Sequence, residues 1–144
     1  MIFYTAARFF ATLENDTRRE PLQFFDVDTK IILRRKNMKI NFNEIERQTL
    51  PQFKGGDGAF LVKMFTDGAG KIMRGTLEPG SAIGYHKHEG NCEIIYILSG
   101  TGKCKYEDGE ENLAAGDCHY CPEGKSHALI NNGVENLEFF AVVL

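Results

Sequence analysis

Three histidines and one glutamate of this 144-residue chain stand at spacings that suit a metal site. His86 and His88 are separated by one residue, so on a β-strand both imidazoles point to the same face. Glu93 follows after a turn-forming Gly-Asn pair, and His127 lies 34 residues further along the chain. Imidazole nitrogens and a carboxylate oxygen together suit first-row divalent ions, and four ligands leave positions open on a five- or six-coordinate metal. The spacing predicts metal chemistry, although it also fits histidines that simply lie on a strand surface.

The elements that must position these side chains are short β-strands. From residue 38 onward, runs rich in β-branched and aromatic residues recur between glycine-containing turns at intervals of roughly 8–12 residues, the pattern of an antiparallel sandwich or barrel. No alternation of strands with helical segments is present, which excludes a parallel βαβ arrangement. We therefore predict an all-β domain. Its predicted strands are 59–65, 71–77, 92–98, 102–107, 117–121, 127–131 and 137–143.

Glycines and a proline recur at fixed positions around the four candidate ligands. The first stretch reads Gly80-x5-His86-x-His88-x4-Glu93-x6-Gly100. The second reads Gly116-x5-Pro122-x-Gly124-x2-His127-x3-Asn131, and residues 101–115 separate the two. Both stretches resemble the two signature motifs of the cupin superfamily at every fixed position. The resemblance covers residues 59–144, the length of a small single-domain cupin.

This resemblance implies a fold, a site and a cofactor. The fold is a double-stranded β-helix, a jelly-roll barrel that holds a metal ion inside. The implied ligands are His86, His88, Glu93 and His127, and none of these positions is substituted here. The implied cofactor is one divalent transition metal, with Mn, Fe, Ni and Zn left open. The motif glycines Gly80 and Gly116 are expected in turns that need positive φ, where a Cβ would be costly.

Strand parity also predicts an apolar outer surface. Since Glu93 must face the metal, Ile95 and Ile97 should face the barrel interior. Tyr96 and its apolar neighbours at 94 and 98 then face outward. An outer face this apolar indicates packing against a second layer, the N-terminal segment or another subunit. Because small cupins commonly dimerise, we expect a homodimer.

Three kinds of function fit such a site, with a small polar or anionic metabolite as the ligand. The first is a dioxygenase, the second is an isomerase or lyase in which the metal acts as a Lewis acid, and the third is a non-catalytic binding or sensing module. An isomerase or lyase also needs an acid–base group close to the substrate, for which His119 and Tyr85 are the candidates. Further polar groups considered for the pocket are Arg74, Thr76 and Tyr120.

The four cysteines suggest neither a disulfide framework nor a second metal site. Cys118 and Cys121 form a lone C-x-x-C pair, without the second pair that a zinc site of this type needs. A spacing of three places the two thiols on opposite faces of a strand. We expect reduced thiols and a cytoplasmic protein, since the apolar start of the chain lacks the features of an export signal.

The charge balance and the lengths of the apolar runs argue against two classes of partner. The chain carries 17 basic and 20 acidic side chains, for a net charge of −3 and a pI near 5.8. Nucleic-acid binding would call for a basic face, which this composition does not favour. No apolar run approaches the roughly 20 residues that span a bilayer. Neither a nucleic acid nor a membrane is therefore expected as a partner.

Composition divides the chain into an N-terminal extension, 1–37, and a cupin domain, 38–144. The first part has no glycine, cysteine or histidine and a net charge of +2, whereas the second has a net charge of −5. The extension is expected to form an arm, with a helix over 3–13 and a strand over 30–33. Alternatively it lies upstream of the true start at Met38, because Arg34-Arg35-Lys36-Asn37 can be encoded by purine-rich codons that resemble a ribosome-binding site.

Overall fold

Alternating buried and exposed side chains arrange the chain into two antiparallel sheets. The computed structural model describes residues 38–144, so the expected arm, with its helix and strand, lies outside the described residues. The described part contains ten strands and a short 3₁₀ helix, Phe53–Gly55. The strands are β1 Gln48–Pro51, β2 Ala59–Thr66, β3 Lys71–Leu77, β4 Ala82–Lys87, β5 Glu93–Ser99, β6 Thr101–Tyr106, β7 Gly109–Ala114, β8 Cys118–Cys121, β9 Ser126–Ile130 and β10 Leu137–Val143.

The two sheets face each other across a single apolar core. One has six strands in the order β1-β2-β3-β10-β5-β8, and the other has four in the order β4-β9-β6-β7. The core is dominated by aromatic and aliphatic residues from β2, β3, β5 and β10. Phe60 and Phe139 stack with ring centroids 5.7 Å apart, directly above Gly75, where an added Cβ would meet the Phe139 ring. This is the all-β jelly-roll architecture that the sequence predicts.

Strand β5 shows how the sequence sets the two faces of the larger sheet. Glu93, Ile95 and Ile97 are buried, whereas the side chains between them point outward. Tyr96, the central outward residue, is 44% exposed. The predicted parity of this strand is therefore confirmed. Two motif glycines also adopt the predicted conformation, with φ of +82° at Gly80 and +98° at Gly116.

Three strands were absent from the sequence prediction, each for a physical reason. Strand β7 has one buried residue, Leu113, so it lacks the alternation that identifies a half-buried strand. Strand β1 is a short edge strand that ends in a proline, and β4 begins with the run Ala-Ile-Gly, which reads as a loop. No helix of the described residues is long and apolar enough to cross a membrane.

Candidate metal centre

The pairing of β4 with β9 places two of the candidate ligands side by side. His86 and His127 are register partners in this antiparallel pair. His88 follows the end of β4 directly, where its backbone N–H donates to the carbonyl of Lys125 at 2.9 Å. Glu93 opens β5 in the other sheet. The site therefore draws side chains from both sheets at one end of the barrel.

The four predicted ligands converge on one point. One ligand atom from each of His86, His88, Glu93 and His127 lies within 4.8 Å of every other. The Nε2 atoms of His88 and His127 are 3.0 Å apart, and they lie 3.3 Å and 2.9 Å from Oε2 of Glu93. All but His86 are buried, and the half-buried His86 faces the cavity described below. The structure thus brings together every residue of the predicted set.

Hydrogen bonds on the far side of two rings turn Nε2 toward this point. Nδ1 of His86 lies 2.9 Å from the carbonyl oxygen of Gly84, and Nδ1 of His88 lies 2.5 Å from Oδ1 of Asn91. The Asn91 amide nitrogen donates to the carbonyl of Glu89 at 2.9 Å, which fixes its oxygen toward His88. Because both partners can only accept, both Nδ1 atoms donate, and each Nε2 keeps a free lone pair.

Burial favours the neutral form of His86, the form that binds metals. Desolvation lowers the pKa of this imidazole below its ordinary value, and the nearby His127 lowers it further. The hydrogen bond to the Gly84 carbonyl and the charge of Glu93 act in the opposite direction without reversing the shift. A neutral ring leaves the lone pair of Nε2 available as a ligand.

The distances between donor atoms fit a divalent transition metal. With metal–ligand bonds of about 2.1 Å, neighbouring ligand atoms around an octahedral ion lie about 3.0 Å apart. The three separations of 2.9, 3.0 and 3.3 Å match this spacing. Two lone pairs that face each other at such a distance also call for a cation or a shared proton between them. The residues present therefore fit the metal that the sequence predicts.

A small cavity of about 150 Å³ opens onto His86, His88 and Glu93. Its walls combine apolar side chains with Asn91 and three lysines. One of the lysines, Lys54, has a φ of +56°, a strained conformation for a residue other than glycine. The remaining lining residues are Phe53, Phe60, Met64, Lys71, Met73, Ile83, Lys87 and Val143.

The residues considered as acid–base groups lie elsewhere. His119 is buried behind His127, with its Nε2 3.1 Å from Nδ1 of His127, so it contacts the site from the side opposite to the cavity. Tyr85 is 53% exposed and does not line the cavity. Arg74 and Thr76 line a separate groove, where Arg74 pairs with Glu138 at 3.1 Å. None of these expected pocket residues, including Tyr120, borders the cavity at the four candidate ligands.

All four cysteines are free thiols, as expected for a chain without a disulfide framework. Cys118 is exposed and Cys121 buried, which confirms that the C-x-x-C pair straddles a strand. Burial raises the pKa of Cys121 to about 11 and that of Cys104 to about 12, which disfavours the thiolate that a metal site requires. Cys104 nevertheless lies close to two imidazoles, with His119 Nε2 3.3 Å from its sulfur.

We expect Cys118→Ser and Cys121→Ser to leave the metal content of the purified protein unchanged. Neither thiol belongs to the histidine and glutamate cluster, and the two point to opposite faces of β8. Elemental analysis of the two variants beside the unmodified chain measures this. A loss of metal in either variant would show that a thiolate takes part in metal binding.

Some features of the site had no clear signal in the sequence. The three cavity lysines come from separate segments, and only the fold brings them together. Asn91 stands in the predicted turn before β5, but its role as the acceptor for His88 depends on the rotation of its amide. The motif residue Asn131 forms capping hydrogen bonds: its amide nitrogen donates to the carbonyls of Leu77 and Glu135 at 2.7 and 2.8 Å.

Three histidines and one glutamate, three of these four residues buried, form a candidate metal site between two antiparallel sheets. Residues 73–143 match the cupin domain family. The chain is also 35% identical over 113 residues to the "Oxalate-binding protein" of Thermotoga maritima, an alignment that covers 74% of this chain and 93% of that protein. This chain belongs to the cupin family, which confirms the resemblance of its two motifs.

Other relatives support the same family and fold. A Thermotoga maritima structure described as a predicted oxalate decarboxylase has a TM-score of 0.70 and 33% identity, covering 74% of this chain and 98% of its own. A sugar phosphate isomerase from Silicibacter pomeroyi, with a TM-score of 0.62, 22% identity and 74% of each chain covered, shows the fold alone. A germin-like protein of Morus alba is 31% identical over 74 residues, 48% of this chain and 35% of that protein.

Proposed function

We propose that this chain binds a small dicarboxylate anion, such as oxalate, at a divalent metal held by His86, His88, Glu93 and His127. The observation that carries the proposal is the pairing of the candidate ligands with a small cavity that three lysines line. The ion, for which Mn, Fe, Ni and Zn are all compatible, would supply positive charge and open coordination positions. A dicarboxylate can fill two adjacent positions at once.

The charge and size of the cavity favour this ligand class. Lys54, Lys71 and Lys87 surround it, and its one carboxylate, Glu93, is a candidate metal ligand. With a divalent ion present, the described walls would carry a net positive charge, which attracts anions. At about 150 Å³ the cavity is smaller than the roughly 300–1,000 Å³ of sites for drug-sized ligands. A small dianion suits both properties.

The polar groups of the cavity favour binding over acid–base catalysis. Apart from the candidate ligands, the described lining offers only lysines and Asn91 as polar side chains, and His119 and Tyr85 lie elsewhere. Binding without turnover needs nothing further. The relative named as an oxalate-binding protein supports the same ligand.

Catalysis of the lyase type is the second candidate, supported by the relative described as a predicted oxalate decarboxylase. Hydrogen oxalate would split at its carbon–carbon bond into CO₂ and formate, with its proton retained on the formate. A cavity lysine would then have to handle the proton, since the described lining has no other acid–base side chain apart from the candidate ligands. A dioxygenase, which can rely on the metal alone, has no specific observation in its favour.

We expect oxalate to bind the metal-loaded protein and not the metal-free protein. Titration calorimetry with Mn²⁺-loaded and chelator-treated samples measures this directly. The Lys54→Met variant should bind oxalate at least about tenfold more weakly, because one charge-assisted contact is worth roughly 1.5–3 kcal/mol. Its metal content should stay unchanged, since Lys54 is not one of the candidate ligands.

Lys105→Met is the matched control, because Lys105 is exposed on β6 and does not line the cavity. Equal oxalate affinity with and without metal would contradict the proposed site, as would the absence of binding to the metal-loaded protein. Formate in the reaction mixture, detected by NMR, would establish the lyase in place of a binding module.

A homodimer and a cytoplasmic location remain proposals. The exposed apolar side chains on the outer face of β5 and β8 support the first. Ile94, Tyr96 and Leu98 are 39–44% exposed, and the neighbouring Tyr120 is 57% exposed. A second subunit would remove this apolar surface from water.

A further inference from the structure

We propose that Glu111 and His119 form a positioning relay that fixes the tautomer of His127 and so presents its Nε2 to the metal. This inference rests on the metal site proposed above. It concerns two residues, on β7 and β8, that occupy no fixed position of either motif and approach His127 from behind. Neither residue borders the cavity at the candidate ligands, so the relay acts through His127 and not on a bound anion.

The relay begins at a carboxylate. Oε1 of Glu111 lies 2.8 Å from Nδ1 of His119. An ionised carboxylate has no proton to donate, so His119 must carry its proton on Nδ1. In the neutral imidazole the second nitrogen, Nε2, is then left with a lone pair and acts only as an acceptor.

The hydrogen bond between His119 and His127 extends this requirement to the candidate ligand. Nε2 of His119 lies 3.1 Å from Nδ1 of His127, within ordinary hydrogen-bond distance. Since His119 accepts there, His127 must donate from Nδ1, and its own Nε2 keeps a free lone pair. That Nε2 is the atom 2.9 Å from Glu93 Oε2 at the metal centre. The charge of Glu111 thus determines that Nδ1 of His127 carries the proton and that Nε2 keeps the lone pair for the metal.

Packing holds the relay in place. The rings of His119 and His127 lie edge to edge, with centroids 5.2 Å apart and planes 23° from parallel, and the Tyr106 ring lies nearly parallel to that of His119 at a centroid distance of 6.4 Å. His119 and His127 are 7% and 1% exposed. The Cys104 sulfur lies 3.3 Å from His119 Nε2, so its S–H is a further donor within reach of the same lone pair. A thiol at this position also favours the tautomer in which Nε2 of His119 is an acceptor.

In each of the three histidines of the site, an acceptor near Nδ1 leaves Nε2 free for the metal, but the acceptors differ. The Gly84 carbonyl orients His86 and the Asn91 amide oxygen orients His88, and each is an acceptor by its own chemistry. The acceptor for His127 is another imidazole, which can accept or donate at Nε2 according to its tautomer. His127 therefore needs the carboxylate behind His119, whereas the other two ligands do not.

The test uses His119→Phe, which removes the acceptor but keeps an aromatic ring, and His119→Gln, whose amide oxygen restores an acceptor. Long-range ¹H–¹⁵N NMR of the metal-free proteins reads the tautomer of His127. Competition with a chromophoric chelator measures Co²⁺ affinity. We expect His119→Phe to shift His127 away from the Nδ1–H tautomer and to weaken Co²⁺ binding about 10- to 100-fold, the range for partners of metal-bound histidines. His119→Gln should restore most of the Nδ1–H tautomer of His127 and most of the Co²⁺ affinity.

Glu111→Gln should weaken Co²⁺ binding less than His119→Phe does, because the new amide can either accept or donate at His119. Glu110→Gln is its matched control, since Glu110 pairs on the surface with Lys103 and does not reach His119. An unchanged His127 tautomer in folded His119→Phe would overturn the relay, even if the unmodified chain binds Co²⁺. Failure of the unmodified chain to bind Co²⁺ would instead overturn the proposed metal site. The tautomer measurement would still show whether Nδ1 of His127 donates to His119.

Discussion

His86→Ala is expected to lower divalent-metal affinity by at least about a hundredfold while leaving the barrel folded. A direct ligand should matter at least as much as the partners behind metal-bound histidines, whose loss costs 10- to 100-fold. The fold should survive because His86 is only half-buried and the core consists of aliphatic and aromatic side chains from other positions. Elemental analysis and chelator competition measure the affinity, and thermal unfolding of the metal-free protein measures the fold.

Tyr85→Ala is the control for this variant. Tyr85 precedes His86 on β4 but is exposed and outside the cavity, so its replacement should leave the metal in place. Full metal content in His86→Ala would remove this residue from the site. Unfolding of the variant would mean that the metal supports the structure and would weaken the proposal of an exchangeable, ligand-binding centre.

Gly84→Ala is expected to destabilise the protein by about 3 kcal/mol, the upper part of the range for overpacked positions. A Cβ at this position would meet the carbonyl oxygen of Lys54 and would lie 2.6 Å from the backbone nitrogen of Gly56. These are backbone atoms, so no side chain can rotate to make room. Urea unfolding monitored by circular dichroism measures the loss.

The same substitution should weaken metal binding, because the Gly84 carbonyl accepts the hydrogen bond that orients His86. Gly68→Ala is the control, since an added Cβ there has no atom within 4 Å and the backbone has no positive φ. Equal stability of Gly84→Ala and Gly68→Ala would show that the 3₁₀ helix moves freely away from β4.

The sequence predicted the fold and the clustering of the four candidate ligands, because both depend on local pattern. Alternation along β5 placed Glu93 inward and Tyr96 outward, and the structure confirms both. The His-x-His spacing and the motif glycines indicated which imidazoles should meet. The family comparison confirms the cupin assignment that these motifs suggested.

The surroundings of the site could not be predicted, because they depend on which elements the fold brings together. His119 had two possible environments on strand parity, and only the packing of β8 against β9 and β7 places it behind His127. Lys54 lies 32 residues before His86 in the chain, in a strained turn that no short pattern marks. The two acid–base candidates therefore lie outside the cavity at the candidate ligands, although the four candidate ligands lie together.

The origin of the candidate ligands in both sheets has a mechanical consequence. His86 and His127 belong to the four-stranded sheet and Glu93 to the six-stranded sheet. An ion bonded to all three would cross-link the two layers, and the layers could not separate without breaking a coordination bond. Because such an ion binds the folded chain and not the unfolded chain, tighter binding gives a larger free energy of unfolding. The gain in unfolding free energy on addition of the ion would then report its affinity.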